Sequence, residues 1–448
     1  MTAKDLSTSV VQRLREHGYQ ALLVGGCVRD LLLNREPKDY DVATDAHPDQ
    51  IIALFPRAGL VGAQFGVVLV REQDAQVEVA TFRSDLAYVD GRRPEGVRFE
   101  TNPREDALRR DFTVNGLFLD PLSGEQFDYV GGMRDLREGI IRAIGDARLR
   151  FHEDHLRLIR AVRFAARLRF TIEPVTFAAI AEWAPAIRRV AAERVRDELL
   201  RILSEGGARY GFELLDRSGL LQEILPEIAA MKGVEQPPEF HPEGDVWTHT
   251  LMMLDGLDAP STALAMGVLL HDVGKPPTFR VADRIRFNGH VEVGVRMARD
   301  ILARLKFSHD DTEQILALVE NHMKFKDAAR MRESTLKRFL RLPRFAEHLA
   351  LHRLDCLNSN GHLETWEMLR HKFEETPQEQ LKPPPLINGN DLIAEGFEPG
   401  PRFGKVLSAV EDAQLEGRLA SKEEALEFAR VTLCKASADS ESPAAPGA

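Results

Sequence analysis

Residues 21–44 read ALLVGGCVRDLLLNREPKDYDVAT. A short apolar run ends at Gly25 and Gly26, and Cys27 to Leu33 then has the pattern of an opening helix. Two glycines let backbone N–H groups approach a phosphate, and a helix N-terminus favours its negative charge. This is not a Walker loop, because GK[ST] is absent; the nearest string, at Gly274, continues Lys275-Pro276, with proline where the hydroxyl belongs. Asp39 and Asp41 stand two apart in an expected strand, so they face one side while Tyr40 and Val42 face the other. Side-by-side carboxylates repel unless a cation lies between them, and magnesium, with oxygen ligands and substrate phosphates, suits that place. Glu78, in VEVATF, is placed to add a third carboxylate from a neighbouring strand. Two metals about 3.5–4 Å apart would activate an attacking hydroxyl and stabilise a leaving pyrophosphate. The bland alternative is a turn with solvated aspartates.

Outward from this stretch, GVVLV, VEVATF and GLFLD also read as strands, so residues from about 4 to 150 form a small α/β unit. From about 150 to 235 the period is helical: Leu156, Ile159, Val162, Phe164 and Ala166 recur on it. Between Arg148 and Arg201 there are 12 Arg and no Lys against 7 acidic residues, a local net charge of +5. The whole chain has 448 residues and a formal charge of −11, so any nucleic-acid contact is confined to a local basic strip. Its 44% hydrophobic and 29% charged content excludes collagenous, mucin-like and wholly disordered proteins. Cys27, Cys356 and Cys434 lie far apart, which fits a reducing compartment. The N-terminus reads as an amphipathic helix, not a signal peptide, and the longest apolar run, Thr262–Leu270, is far short of the ~20 residues that span a bilayer. A cytoplasmic protein is expected. Lys232–Asp245 reads as a loop, helices return from Val246 to Phe373, a Pro-rich linker follows, and ASADSESPAAPGA has disorder composition.

GGCVRDLLLNREPKDYDVAT resembles the first motif of class II tRNA nucleotidyltransferases and bacterial poly(A) polymerases, within the DNA polymerase beta superfamily. Further strings follow in the family's order. TFRSDLAYVDGRRPEGVRF resembles its flexible loop; RRDFTVNGL, with Arg109, Arg110 and Asp111, its second motif; YVGGMRDLREGIIRAIG its third; FHEDHLRLIRAVRFAARL its fourth; and ERVRDELLRIL its fifth. The resemblance covers residues 15–235. It implies contact of Arg110 and Asp111 with a ribose 2′-hydroxyl, where the residues alone allow a structural salt bridge. It also implies nucleotide contacts at Gly25, Gly26, Arg29 and Arg160.

Asp154 and Arg157 are spaced i, i+3, which on one helix places them on one face. As a surface ion pair they would contribute ~0.2–0.5 kcal/mol. As a protein template they would do more. Cytosine and adenine each offer an amino donor beside an acceptor ring nitrogen, matching a carboxylate and a guanidinium. Uracil and guanine present the reverse and would leave both side chains unpaired. The resemblance assigns Glu153, Asp154 and Arg157 to this part of the site. Arg157, Arg160 and Arg163 continue at i+3 intervals, either to hold triphosphate or RNA, or as a solvated basic face.

A second constellation comprises His249, His271 with Asp272, His290, His322 and Asp355. Mixed imidazole and carboxylate ligands suit a divalent transition metal better than calcium. The order H…HD…H…H…D resembles the HD phosphohydrolase superfamily over about 246–360, and implies a phosphatase or phosphodiesterase with one metal or two. An inert helical module is the alternative.

The expectation is an α+β chain: a DNA polymerase beta-like nucleotidyltransferase head with a mixed sheet, then a long all-helical neck, body and tail containing an HD domain. The expected divisions are 1–147 (head), 148–240 (neck and body), 241–360 (HD domain), 361–436 (tail, gripping the tRNA elbow) and 437–448 (disordered). The expected activity is addition of CCA to tRNA 3′ ends from CTP and ATP, with Mg2+ in the head and no membrane or obligate protein partner. Poly(A) polymerase and partial enzymes that add only CC or only A are the rivals. A poly(A) polymerase is expected to carry a basic extension, which SADSESPAAPGA is not.

Overall fold

The computed structural model describes residues 1–60, 66–85 and 96–438. Residues 86–95 of the expected flexible loop and residues 439–448 of the expected disordered end lie outside the described residues. Among the described residues no helix is long and apolar enough to cross a membrane.

Helix α1 (Ala3–Glu16) starts at a capping box between Thr2 and Asp5 and buries Leu6, Val10 and Leu14 along one stripe. It packs on a seven-stranded mixed sheet of order β3-β4-β5-β2-β1-β8-β9. The strands are β1 (Ala21–Val24), β2 (Asp41–Thr44), β3 (Ala58–Leu60), β4 (Val67–Glu72), β5 (Ala75–Thr81), β8 (Leu117–Leu119) and β9 (Gln126–Asp128). A separate hairpin pairs β6 (Arg83–Asp85) with β7 (Val97–Phe99). Helices α2 (Gly26–Leu32), α3 (Pro48–Leu54), α4 (Pro103–Leu108) and α5 (Gly132–Glu138) complete the head. Strand β1 runs antiparallel to β2, and β2 runs parallel to β5 with Asp41 opposite Glu78. That register brings the first motif and VEVATF side by side.

The chain then turns helical, through α6 (Ala147–Glu153), α7 (Arg157–Leu168), α8 (Pro174–Trp183), α9 (Ala192–Ser204) and α10 (Ala208–Arg217). A two-residue parallel pair, β10 (Ile140–Ile141) with β11 (Thr171–Ile172), ties the end of α7 back to the head. Short helices α11 (Leu220–Ile224) and α12 (Pro226–Ala229) precede the loop expected at 232–245. Beyond it come α13 (Val246–Asp255), α14 (Thr262–Leu270), α15 (Lys275–Thr278), α16 (His290–Arg304), α17 (His309–Asn321), α18 (Glu333–Leu340) and α19 (Phe345–Leu357). The expectation of helix throughout 246–373 needs one correction. Pro276 and Pro277 start α15 but it ends after one turn, and a hairpin of β12 (Arg280–Val281) and β13 (Ile285–Arg286) follows. Helices from Glu364 to Ala438 form the tail.

One apolar core runs without interruption from Leu6 in α1 to Leu354 in α19. Helix α7 contributes most of its apolar face to it, with Leu158, Ile159, Ala161 and Val162 all fully buried. Helix α9 packs on α7 on one side and on α14 on the other. Two smaller cores lie beyond. One joins Phe325 and Phe345 to Leu369 and Leu381, so residues on both sides of position 360 share it; the other spans Ile387 to Leu433.

Candidate active site and a second polar cluster

A cleft of ≈ 640 Å3 is walled by the β1–α2 turn, β2, the residues before β8, α7 and α9. Gly25, Gly26, Arg29, Asp39, Asp41, Arg110, Asp111, Asp154, Arg157 and Arg160 all line it. Glu78 and Glu153 stand immediately behind, the first in register with Asp41, the second against Arg157.

Asp39 falls just before β2, not within it, but the alternation survives: Asp39 is exposed, Tyr40 buried, Asp41 half-buried and Val42 buried. Burial, followed by the like charge of Glu78, pushes the Asp41 carboxyl up to about 6, against the opposing pull of Arg110. A buried carboxylate beside like-charged Glu78 and Asp39 offers oxygen ligands of the kind a hard divalent cation takes. Gly25 caps α2, and a Cβ there would sit 3.0 Å from Nη1 of Arg110, so the glycine keeps room for that guanidinium. Arg110 itself donates twice to Oδ2 of Asp106.

The structure bears on three expectations. Arg29 is only 2% exposed; its guanidinium donates to Asp30 and, at 2.6 Å, to Oδ1 of Asn115. It therefore braces the cleft floor from within. Asp111 accepts four hydrogen bonds: Oδ1 from the Phe112 N–H and the Asn115 amide, Oδ2 from two donors of Arg160. Four donors use the whole acceptor capacity of a carboxylate. Burial alone would raise its pKa, but the Arg160 charge and these bonds hold it well below the usual range. Arg110, paired with Asp106, lines the same cleft. Third, Asp154 and Arg157 do not share one helix. Asp154 is the extended residue that ends α6, and Arg157 opens α7. The break arises because Oδ1 of Asp154 accepts the Leu156 N–H at 3.1 Å, a local bond that competes with helix continuation.

Both residues still face the cleft. Oδ2 of Asp154 lies 3.3 Å from Arg194, and Arg157 is held by Glu153 at 2.7 Å and by the carbonyls of Arg150 and Arg109. The arginines of α7 are not a solvated face. Arg163 is 5% exposed against Glu198, and burial pulls it down to about 10.

The second constellation also assembles. Nε2 of His271 lies 3.1 Å from Asp272, and Nε2 of His249 lies 3.2 Å from Asp355, both poorly aligned for hydrogen bonds. The ε nitrogens of His290 and His322 are buried without a partner, 3.9 and 3.7 Å from Oδ1 of Asp272. The donor atoms of these six residues fall into two groups, His249 with His271 and Asp355, and Asp272 with His290 and His322, and a third group joins His249 to His241 and Glu243. Burial holds His322 down at about 4. Burial opposes the His249 cation too, yet the carboxylates of Asp355 and Glu243 beside it raise it to about 9. Inward lone pairs beside carboxylates, in a place that favours positive charge, fit a divalent cation with nitrogen and oxygen ligands.

Three families of sequence match the chain: the Poly A polymerase head domain over residues 21–142, the probable RNA and SrmB-binding site of polymerase A over 169–232, and the putative tRNA nucleotidyltransferase domain 2 over 290–429. A CCA-adding enzyme of Bacillus licheniformis is 42% identical over 215 residues, 48% of this chain and 54% of that protein. The crystal structure of the Bacillus stearothermophilus CCA-adding enzyme in complex with CTP superposes with a TM-score of 0.76 at 26% identity, covering 98% of this chain and 99% of that one. A CCA-adding enzyme of Lactobacillus johnsonii is 30% identical over 417 residues, 93% of this chain and 94% of that protein.

The chain belongs to the CCA-adding enzyme family.

Several side chains of this CCA-adding family member were invisible as site residues in the sequence. Asn115 links Arg29 to Asp111, and Arg194 and Arg201 reach the cleft from α9. Asn115 and Arg194 lie inside the quoted second and fifth motifs, yet only the packing of α9 on α7 reveals which of their residues turn inward. At the second cluster, Lys275 contacts Asp272 at 2.7 Å, and Glu243 contacts both His241 and His249. Glu243 and His241 sit in what reads only as a loop.

Proposed function

We propose that the chain extends tRNA 3′ ends by CCA, taking CTP twice and then ATP, with one cleft serving every step. The observation that carries this is the shared cleft: the Asp39–Asp41 acids, backed by Glu78, and the Asp154–Arg157 pair line the same ≈ 640 Å3 space. Divalent cations held by Asp39 and Asp41 supply activation of the attacking 3′-hydroxyl and neutralisation of the departing pyrophosphate. The protein's own side chains do the selecting. Asp154 accepts from the exocyclic amine of cytosine or adenine, and Arg157 donates to the neighbouring ring nitrogen. Glu153 and the carbonyls of Arg150 and Arg109 fix the Arg157 guanidinium in place for that task. Arg110 offers donors to the ribose. The arginine strip of α7 and α9 offers fixed positive charge to the phosphates and to the end of the acceptor strand. The tail helices extend the grip to the tRNA elbow.

The test uses tRNA lacking its 3′ end, tRNA ending in C and tRNA ending in CC, each with one labelled nucleotide. The proposal expects CTP on the first two substrates and ATP only on the third, with growth stopping there. Runs of A on any RNA would replace it by poly(A) polymerase, and failure on one class of substrate by a partial enzyme.

A second activity is favoured by the buried, partnerless ε nitrogens of His290 and His322. We read the cluster of His249, His271, Asp272, His290, His322 and Asp355 as a transition-metal centre that hydrolyses phosphate esters. Asp272→Ala is expected to remove metal-dependent phosphoesterase activity while CCA addition persists. A phosphoesterase signal unchanged in this variant would refute the assignment.

A further inference from the structure

The four histidines of the second cluster are not oriented alike. Nδ1 of His271 donates to the Val268 carbonyl at 2.8 Å, Nδ1 of His290 to Phe287 at 2.9 Å, and Nδ1 of His322 to Val319 at 2.7 Å. A carbonyl only accepts, so each imidazole carries its proton on Nδ1 and turns the lone pair of Nε2 inward. His249 differs. Its Nδ1 lies 3.2 Å from the Asn358 carbonyl but 2.7 Å from Oε1 of Glu243, a carboxylate. The same oxygen takes Nδ1 of His241 at 2.8 Å, and the other oxygen of Glu243 is buried without a partner. His249 is fully buried and the Glu243 side chain is 5% exposed, so this contact is shielded from water.

The local chain is built to bring Glu243 there. Asp245 caps α13 by accepting the Thr248 N–H and ties the loop down through the Gly233 N–H. Gly244, at φ +128°, takes a backbone conformation closed to other residues and folds Glu243 back over the first turns of the helix. The sequence HPEGDVWTHT thus places its carboxylate behind its own metal-facing histidine.

A carboxylate behind an imidazole fixes its tautomer and raises its basicity as a ligand more than a neutral carbonyl does. We propose that Glu243 makes the half-site of His249, His271 and Asp355 the tighter of two metal positions, so that the cluster fills in a fixed order, with the half-site of Asp272, His290 and His322 second. This rests on the reading of the cluster as a metal centre. Glu243 is a positioning residue in it, acting through His249.

The test is titration of the full-length protein with Co2+, whose visible absorption reports imidazole coordination and is far weaker for carboxylate-only sites such as the head. The native chain is expected to show two steps. Glu243→Ala is expected to weaken the first about 10–100-fold and leave the second within about twofold. Glu243→Gln, which keeps the volume and one acceptor oxygen, should fall between; it carries the test if the alanine variant unfolds on heating below the native chain. His290→Ala should remove the second step and spare the first. An unchanged first step in Glu243→Ala overturns the role of Glu243 alone. Loss of the first step in His290→Ala overturns the order. No imidazole signature in the native chain overturns the metal centre itself.

Discussion

Asp41→Ala is expected to cut nucleotide incorporation by at least about a thousandfold on every tRNA substrate, a loss of about 4 kcal/mol of transition-state stabilisation. The side chain is half-buried, lines the cleft and lies opposite Glu78 across paired strands, so its loss takes one carboxylate out of the set of Asp39, Asp41 and Glu78. The effect is expected in kcat with binding of CTP nearly preserved, since the proposed base contacts of Asp154 and Arg157 are left in place. Single-turnover incorporation with equilibrium CTP binding measures both, and near-native turnover would remove the cation assignment. The pH behaviour supplies a second reading of the same group. Burial and Glu78 raise the Asp41 carboxyl to about 6, above its ordinary value. Its ionised form therefore costs stability in the cation-free protein, increasingly as pH rises from about 4 to 6 and fully above 6. Cation binding reverses that cost and expels the proton. Magnesium titrations near pH 6 should release protons, and the release should vanish by pH 8 and in Asp41→Ala.

Asp154→Ala is expected to lower discrimination against UTP and GTP by about 10–100-fold, from the 1–3 kcal/mol that an unpaired polar group costs in a desolvated site. Its oxygens have two present duties, the Leu156 N–H and Arg194, and a carboxylate has capacity for two more donors. Removing it also removes the bond to the Leu156 N–H just ahead of α7. Asp154→Asn separates the two duties: it keeps an acceptor for that N–H and the volume, but replaces one acceptor by a donor, the pattern that uracil and guanine need. The ratio of kcat/KM for CTP against UTP is the measurement. A native ratio in both variants would transfer base choice elsewhere in the cleft.

Much of the head was legible because its chemistry is local in sequence. Gly25, Gly26, Asp39 and Asp41 fall within 17 residues, and strand alternation was enough to aim both aspartates. Glu78 needed only a strand pattern and a parallel neighbour. The internal partners of Arg29 and Asp111 were not legible: sequence shows a charge, but not whether another charge already pairs with it, as Asp30 and Arg160 do here. The helix break at Asp154 was hidden because apolar periodicity runs on through Leu156 and Ile159, and a side-chain bond to one backbone N–H overrides it. Glu243 was hidden more deeply. Its loop has no periodicity, and its partner is fixed by Gly244 and the Asp245 cap.

Helix α9 lies with one flank toward the arginines of α7 and the other toward α14, from whose end His271 and Asp272 project, and a single apolar interior continues past both. The cleft and the second cluster therefore share one apolar interior. Heat or denaturant is expected to melt the two together. A fragment cut between them would bare a greasy wall on each piece, and would report on aggregation before it reported on either reaction.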